Sequence, residues 1–215
     1  MGRFVPDGAG FRAARKAGGA RYAAFLCALS LRATTFVCFF GAARATATRD
    51  PVGALALSCL GLSSASLHFV QNVWRRLAPD VLPPPPPWCH RYASAADSAA
   101  IWGLAVAIAR RGGAASFLAS VVFVFWLDLR AIRVDDIWAR RALRATAFAV
   151  ALAATLLRVP PPRRLAYLAA GAATAALFPC VVASRRNLFV NTALAWAWHG
   201  ATSLGARHVL ALPAR

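Results

Sequence analysis

The sequence predicts an all-α protein, a multi-spanning bundle of six to seven transmembrane helices. Three observations lead there. Of 215 residues, 60% are hydrophobic and only 15% are charged, where a soluble domain carries about a quarter. The mean hydropathy is +0.55. The apolar residues are gathered into runs of bilayer-crossing or nearly bilayer-crossing length, separated by short breaks that carry arginine. This distribution excludes a disordered chain and a soluble enzyme.

Residues 1–21 read as a basic, disordered tail with Arg3, Arg12, Arg15, Lys16 and Arg21. It begins Met1-Gly2, but Pro6 occupies the position where a myristoylation signal needs Ser or Thr. Residues 22–74 read as a first helical hairpin, with apolar runs at 22–43 and 51–74. The first run is too long for a signal-peptide core and reads as an uncleaved signal-anchor, although Ala43-x-Ala45 has the form of a cleavage site. Residues 75–93 are expected to be an aqueous, extended loop, because the five consecutive prolines at 83–87 cannot propagate a helix.

Residues 94–205 hold the rest of the bundle. The stretches 94–109 and 114–127 are a little short for straight crossings. They read as a compressed hairpin or as one long element with a re-entrant part. Residues 128–144 carry Asp128, Asp135, Asp136 and five arginines, and read as an interfacial amphipathic helix or an ordered loop. Three more runs follow at 145–159, 165–183 and 188–204, broken at Pro160-Pro161-Pro162-Arg163-Arg164 and at Arg185-Arg186. Residues 206–215 form a short tail.

Charge then orients the bundle. Lys and Arg total 25 against 7 acids, a net charge of +18. The arginines sit singly or in pairs between apolar runs, so they read as topogenic charge rather than as a nucleic-acid interface. With seven spans, fifteen basic residues fall on the side of the N-terminus and nine on the other. The positive-inside rule makes the first side cytosolic.

Few residues suggest chemistry. Arg32, in the middle of the first run, costs about 2.5–3.5 kcal/mol on insertion scales and calls for a partner. Three are open to it: Asp97 as an intramembrane ion pair, a headgroup layer reached by snorkelling, or an acid on another protein. His68 and His199 could in principle ligate a haem, but nothing else supports a cofactor, and none is expected. Cys27, Cys38, Cys59, Cys89 and Cys180 lack metal-ligand spacing, and with Cys89 the only one in a loop, no disulfide is expected. Asp135-Asp136 diverge by about 100° on a helix and make a poor acid–base pair. All acids are aspartate, and no GxSxG, HExxH or Walker A pattern occurs. No small-molecule substrate can be identified and an enzyme is not expected. Small residues four apart, such as Ala169 and Ala173, permit close helix approach, but they follow from an alanine-rich composition.

The prolines at 83–87, the stretch Val134-Asp135-Asp136-Ile137-Trp138 and the stretch Arg164-Leu165-Ala166-Tyr167-Leu168-Ala169-Ala170-Gly171 resemble the herpesvirus unique-long forty-three membrane proteins. The stretch Phe69-Val70-Gln71-Asn72-Val73-Trp74-Arg75-Arg76, leading to Asp80-Val81-Leu82-Pro83, is similar to the herpesvirus unique-long twenty egress protein, the partner of glycoprotein K. That second family has four spans and an acidic N-terminal region, unlike the basic tail here. Both likenesses imply a non-enzymatic protein of virion or host membranes acting in envelopment, egress or control of membrane fusion. Its partners would be the lipid bilayer and viral envelope glycoproteins or other membrane proteins. The alternative class is a small transporter or channel, with Arg32, Asp97 and His68 on a shared polar path.

Overall fold

A computed structural model describes residues 8–78, 80–109, 113–184 and 187–212. Every element among them is helical: α1 (Gly8–Ala17), α2 (Gly19–Ala33), α3 (Val37–Thr46), α4 (Pro51–His68), a π-helical segment (Phe69–Trp74), α5 (Arg75–Leu77), α6 (Pro87–Ala109), α7 (Ala114–Arg133), α8 (Ile137–Arg158), α9 (Pro161–Ala183) and α10 (Leu188–Leu210). The predicted all-α membrane bundle is what the chain forms. The seven apolar runs fall on these helices, the first divided between α2 and α3 by a turn at residues 34–36.

Five helical stretches are both long and apolar enough to cross a bilayer: Gly19–Thr46, Pro51–Leu77, Pro87–Ala109, Ala114–Arg133 and Pro161–Ala183. Helices α8 and α10 have 22 and 23 residues, about 33 Å at 1.5 Å per residue. They have the length but are diluted by Arg140, Arg141, Arg144 and Arg158 in α8, and by Asn191, His199, Arg207 and His208 in α10.

Side-chain caps fix several helix starts. Asp50 accepts from the Gly53 amide at 2.8 Å, with Pro51 in the first turn of α4. Asp136 accepts from Ala139 N at 2.9 Å, and Asn187 from Phe189 N and Val190 N. Such caps are worth about 1 kcal/mol each.

Four local expectations are corrected. The basic tail is not disordered over 8–21: α1 folds back through Gly18 and Gly19, both at positive φ, a conformation that only glycine adopts freely. It seats Phe11, 2% exposed, against Tyr22 and Phe25. The proline-rich loop is shorter than 75–93, because Arg75–Leu77 is helical and Pro87 opens α6, where its missing N–H costs nothing. Cys89 therefore lies in a helix. The segment 128–144 is no separate interfacial element. It is the end of α7 and the start of α8, joined by a turn at Asp135 with φ 54°.

The stretches 94–109 and 114–127 lie in full-length helices of 23 and 20 residues, because polar residues at their ends extend each run. The close approach of α6 to α7 depends on Gly103, where a Cβ would come within 2.6 Å of the Phe117 ring. The expected breaks at Arg110-Arg111 and Arg185-Arg186, the first seven residues and the last three lie outside the described residues.

Helix α6 is the centre of the bundle and α9 its periphery: 61% of the apolar window of α6 is buried, against 6% for α9. The main core joins Phe39, Leu57, Leu60, Leu104, Phe117 and Leu210 from α3, α4, α6, α7 and α10. A smaller one, around Phe11, Phe25, Leu29, Val73 and Leu188, closes the end where α1 lies.

Candidate functional site: two buried polar clusters

The first cluster forms where two helices depart from regular geometry. The first span breaks at residues 34–36, immediately after Arg32, and α4 passes into π geometry immediately after His68. A broken helix in a low-dielectric bundle must have its freed carbonyls satisfied internally. Leu31 O accepts from Trp196 Nε1 of α10 at 2.8 Å and from Thr34 Oγ1 at 3.2 Å. Arg32 O accepts from Thr35 Oγ1 at 3.4 Å, and Ala28 O from Thr192 Oγ1 at 3.3 Å.

Arg32 itself is 2% exposed. Its Nε donates to Asn191 Oδ1 at 3.0 Å, Nη1 to Thr35 Oγ1 at 3.3 Å, and Nη2 to His68 Nδ1 at 3.4 Å. Asn191 is fixed in turn, its Nδ2 donating to Val181 O at 2.7 Å. Asn72 Nδ2 also reaches His68 Nδ1, at 3.2 Å, and the other nitrogen of His68 lies 3.1 Å from His199 Nε2. His199, 1% exposed, bonds through Nδ1 to Ala195 O at 2.7 Å.

The second cluster lies between α4, α6, α7 and α8. Asp97 Oδ1 accepts from Ser64 Oγ at 2.9 Å, and Oδ2 lies 4.0 Å from Arg144 Nη2. Arg144 Nε donates to Ser98 Oγ at 3.0 Å, and Arg140 Nη2 to Ser94 Oγ at 2.5 Å. The two arginines and the two serines are each spaced i, i+4, so α8 and α6 present matching rows. Arg140 Nε also donates to Asp128 Oδ1 at 3.0 Å. Asp128 is fully buried, and its Oδ2 has no hydrogen-bond partner among the described residues.

The expected Arg32–Asp97 pair is therefore corrected: the structure gives the two residues separate partners. Asp97 faces Ser64 and Arg144, while Arg32 is held by amide, hydroxyl and imidazole groups. Arg32 is 2% exposed and meets these groups inside the bundle. His68 joins Arg32, as a shared polar path would require, but Asp97 does not. His68 and Ser64 are one turn apart on α4, about 6 Å along the axis, so the two clusters are neighbours through that helix.

Sequence reasoning missed Asn191, Thr35, Asn72, Ser64 and Arg144. Two signals were readable: Asn191 interrupts an apolar run, and Ser94/Ser98 match Arg140/Arg144 in spacing. Asp135 and Asp136 serve the α7–α8 turn and cap. All five cysteines are free. The histidine nitrogens stand at hydrogen-bond distance, closer than the ~4 Å that separates two trans axial nitrogens on a haem iron with bonds of ~2 Å.

No protein-family model, curated protein or solved structure matches this chain.

Proposed function

We propose that this is a non-enzymatic multipass protein of virion and host membranes. In this reading it acts through helix contacts with viral envelope glycoproteins during envelopment, egress or control of membrane fusion. The observation that carries the reading is α9. It holds to the bundle chiefly through α10, with Tyr167 on His208 and Phe178 on Trp198, and leaves nearly all its apolar surface outward. Leu165 and Phe178 are 77% and 48% exposed. A helix so placed meets lipid or another membrane protein. The choice of glycoproteins rests on the likeness of residues 83–87, 134–138 and 164–171 to the herpesvirus unique-long forty-three proteins. In the same reading the N-terminus is cytosolic, the orientation that the charge split between the two sides favours.

A photo-crosslinker at Leu165 or Phe178 tests this in cells that also make the viral envelope glycoproteins. Glycoprotein adducts from α9, and none from a crosslinker at buried Leu57, are expected. Lipid adducts alone from α9 would refute the reading.

A transporter or channel is the second reading. It is favoured by the chain Arg32–His68–His199, which stands one turn of α4 from the Asp97 cluster. Proton or ion flux into liposomes above background, lost in His68→Ala, would select it over the first.

A further inference from the structure

A groove of about 340 Å³ opens between α1, α2 and α10, lined by Ala13, Ala17, Ala24, Phe25, Phe189 and Arg21 among others. We propose that it holds one anionic phospholipid, with an acyl chain along the alanines and Phe189 and the headgroup phosphate on Arg21.

Position is the first argument. The groove stands at the start of the span Gly19–Thr46, where hydrocarbon gives way to headgroups. Apart from Arg21 its lining is apolar, and Phe189 is 55% exposed. That pattern, an apolar channel ending in one cation, matches a lipid rather than a water-soluble ligand.

Charge is the second. Arg15, Lys16 and Arg21 are exposed, and among the described residues their side chains form no ion pair or hydrogen bond. Arg12, by contrast, is engaged with Asp80 at 3.0 Å. Lys16 is within a turn of Ala13 and Ala17, which line the groove. Arginine binds phosphate oxygens through its planar fork, and clustered basic residues draw anionic lipid to a membrane surface.

Preorganisation is the third. Phe11 packs edge-on against Tyr22 and Phe25, with ring centres 6.0 and 6.2 Å apart, and the Arg12–Asp80 bridge ties α1 to the proline-rich loop. The wall formed by α1 is thus in place before a ligand arrives.

Native mass spectrometry of the full-length protein, released from mixed micelles of phosphatidylserine and phosphatidylcholine, tests the proposal. The wild type should retain one phosphatidylserine in preference to phosphatidylcholine. Arg21→Gln should lower that retention about fivefold, as expected for one basic contact, and Arg21→Lys should restore part of it. Ala17→Leu, which fills the groove without changing charge, should also lower it. Arg163→Gln, at the start of α9, should leave it unchanged. Equal retention of both lipids, or wild-type retention by Arg21→Gln or Ala17→Leu, would overturn the proposal. So would full displacement of the lipid by inorganic phosphate, which would mean that the groove plays no part.

Discussion

His68 Nε2 lies 3.1 Å from His199 Nε2, and the surrounding contacts decide which ring donates. His199 Nδ1 faces the Ala195 carbonyl, so it carries a proton and leaves Nε2 as an acceptor. Arg32 can only donate, so His68 Nδ1 accepts and His68 Nε2 holds the proton between the rings. These contacts link α2, α4 and α10 through two neutral imidazoles and one guanidinium.

His199→Phe tests this link. The ring volume and the edge contacts with Phe39 and Trp198 would be largely kept, while the His68 N–H would lose its acceptor. A loss of about 1 kcal/mol is expected, since hydrogen bonds between membrane helices average somewhat under that value. His199→Ala should cost about 2–5 kcal/mol, because it also opens a cavity. Thermal unfolding in detergent measures both. A neutral His199→Phe beside a costly His199→Ala would mean that packing alone operates here.

Double-mutant cycles separate the two polar clusters. Asp97→Ala and Arg32→Ala should be additive within about 0.5 kcal/mol, because they share no partner. Asp97→Ala should couple instead to Ser64→Ala and Arg144→Ala. Rescue of Asp97→Ala by Arg32→Ala would restore the ion pair that the structure does not form.

The apolar runs were legible because each needs only local composition, and Arg32 stood out because charge is rare at that depth. Its partners were not legible. Asn191 lies 159 residues away and is neutral, whereas a search for counter-ions finds only acids. The start of α6 was hidden by the preceding prolines, since composition does not distinguish Pro87 in a first helical turn from Pro86 before it. The folding of α1 depends on Phe11 and on a bridge from Arg12 to Asp80, long-range contacts that a glycine- and alanine-rich tail does not announce. The Ser94/Ser98 and Arg140/Arg144 rows lie on separate helices, and their match becomes evident only once those helices are paired.

The Asp128–Arg140 contact should behave as a charge pair with a buried acid. Arg140→Ala leaves the fully buried carboxylate uncompensated and should cost up to about 3 kcal/mol. Asp128→Asn in the same molecule should recover most of it. Detergent-solubilised melting temperature is the readout, and an unchanged double mutant would mean that the loss came from Arg140 packing rather than charge.

The Arg12–Asp80 bridge ties α1 to the proline-rich loop, and the Arg140–Ser94 contact brings the start of α8 to the part of α6 that follows that loop. Thus α1, the loop and the α7–α8 turn share one end, with Arg49 a helix length away in the α3–α4 link. In a cysteine-free background, single cysteines at Arg12, Val81 and Val134 should react with an impermeant maleimide from the same side of sealed vesicles. A cysteine at Arg49 should react only from the opposite side. A split among the first three would contradict the helix pairing.

Membrane integration is the claim on which the whole account stands, and carbonate extraction at high pH tests it most directly. Stripping the membranes of peripheral proteins should leave this protein quantitatively in the pellet, because apolar helices with satisfied backbones and outward hydrophobic faces cannot leave the bilayer cheaply. Its release into the supernatant would contradict the membrane bundle.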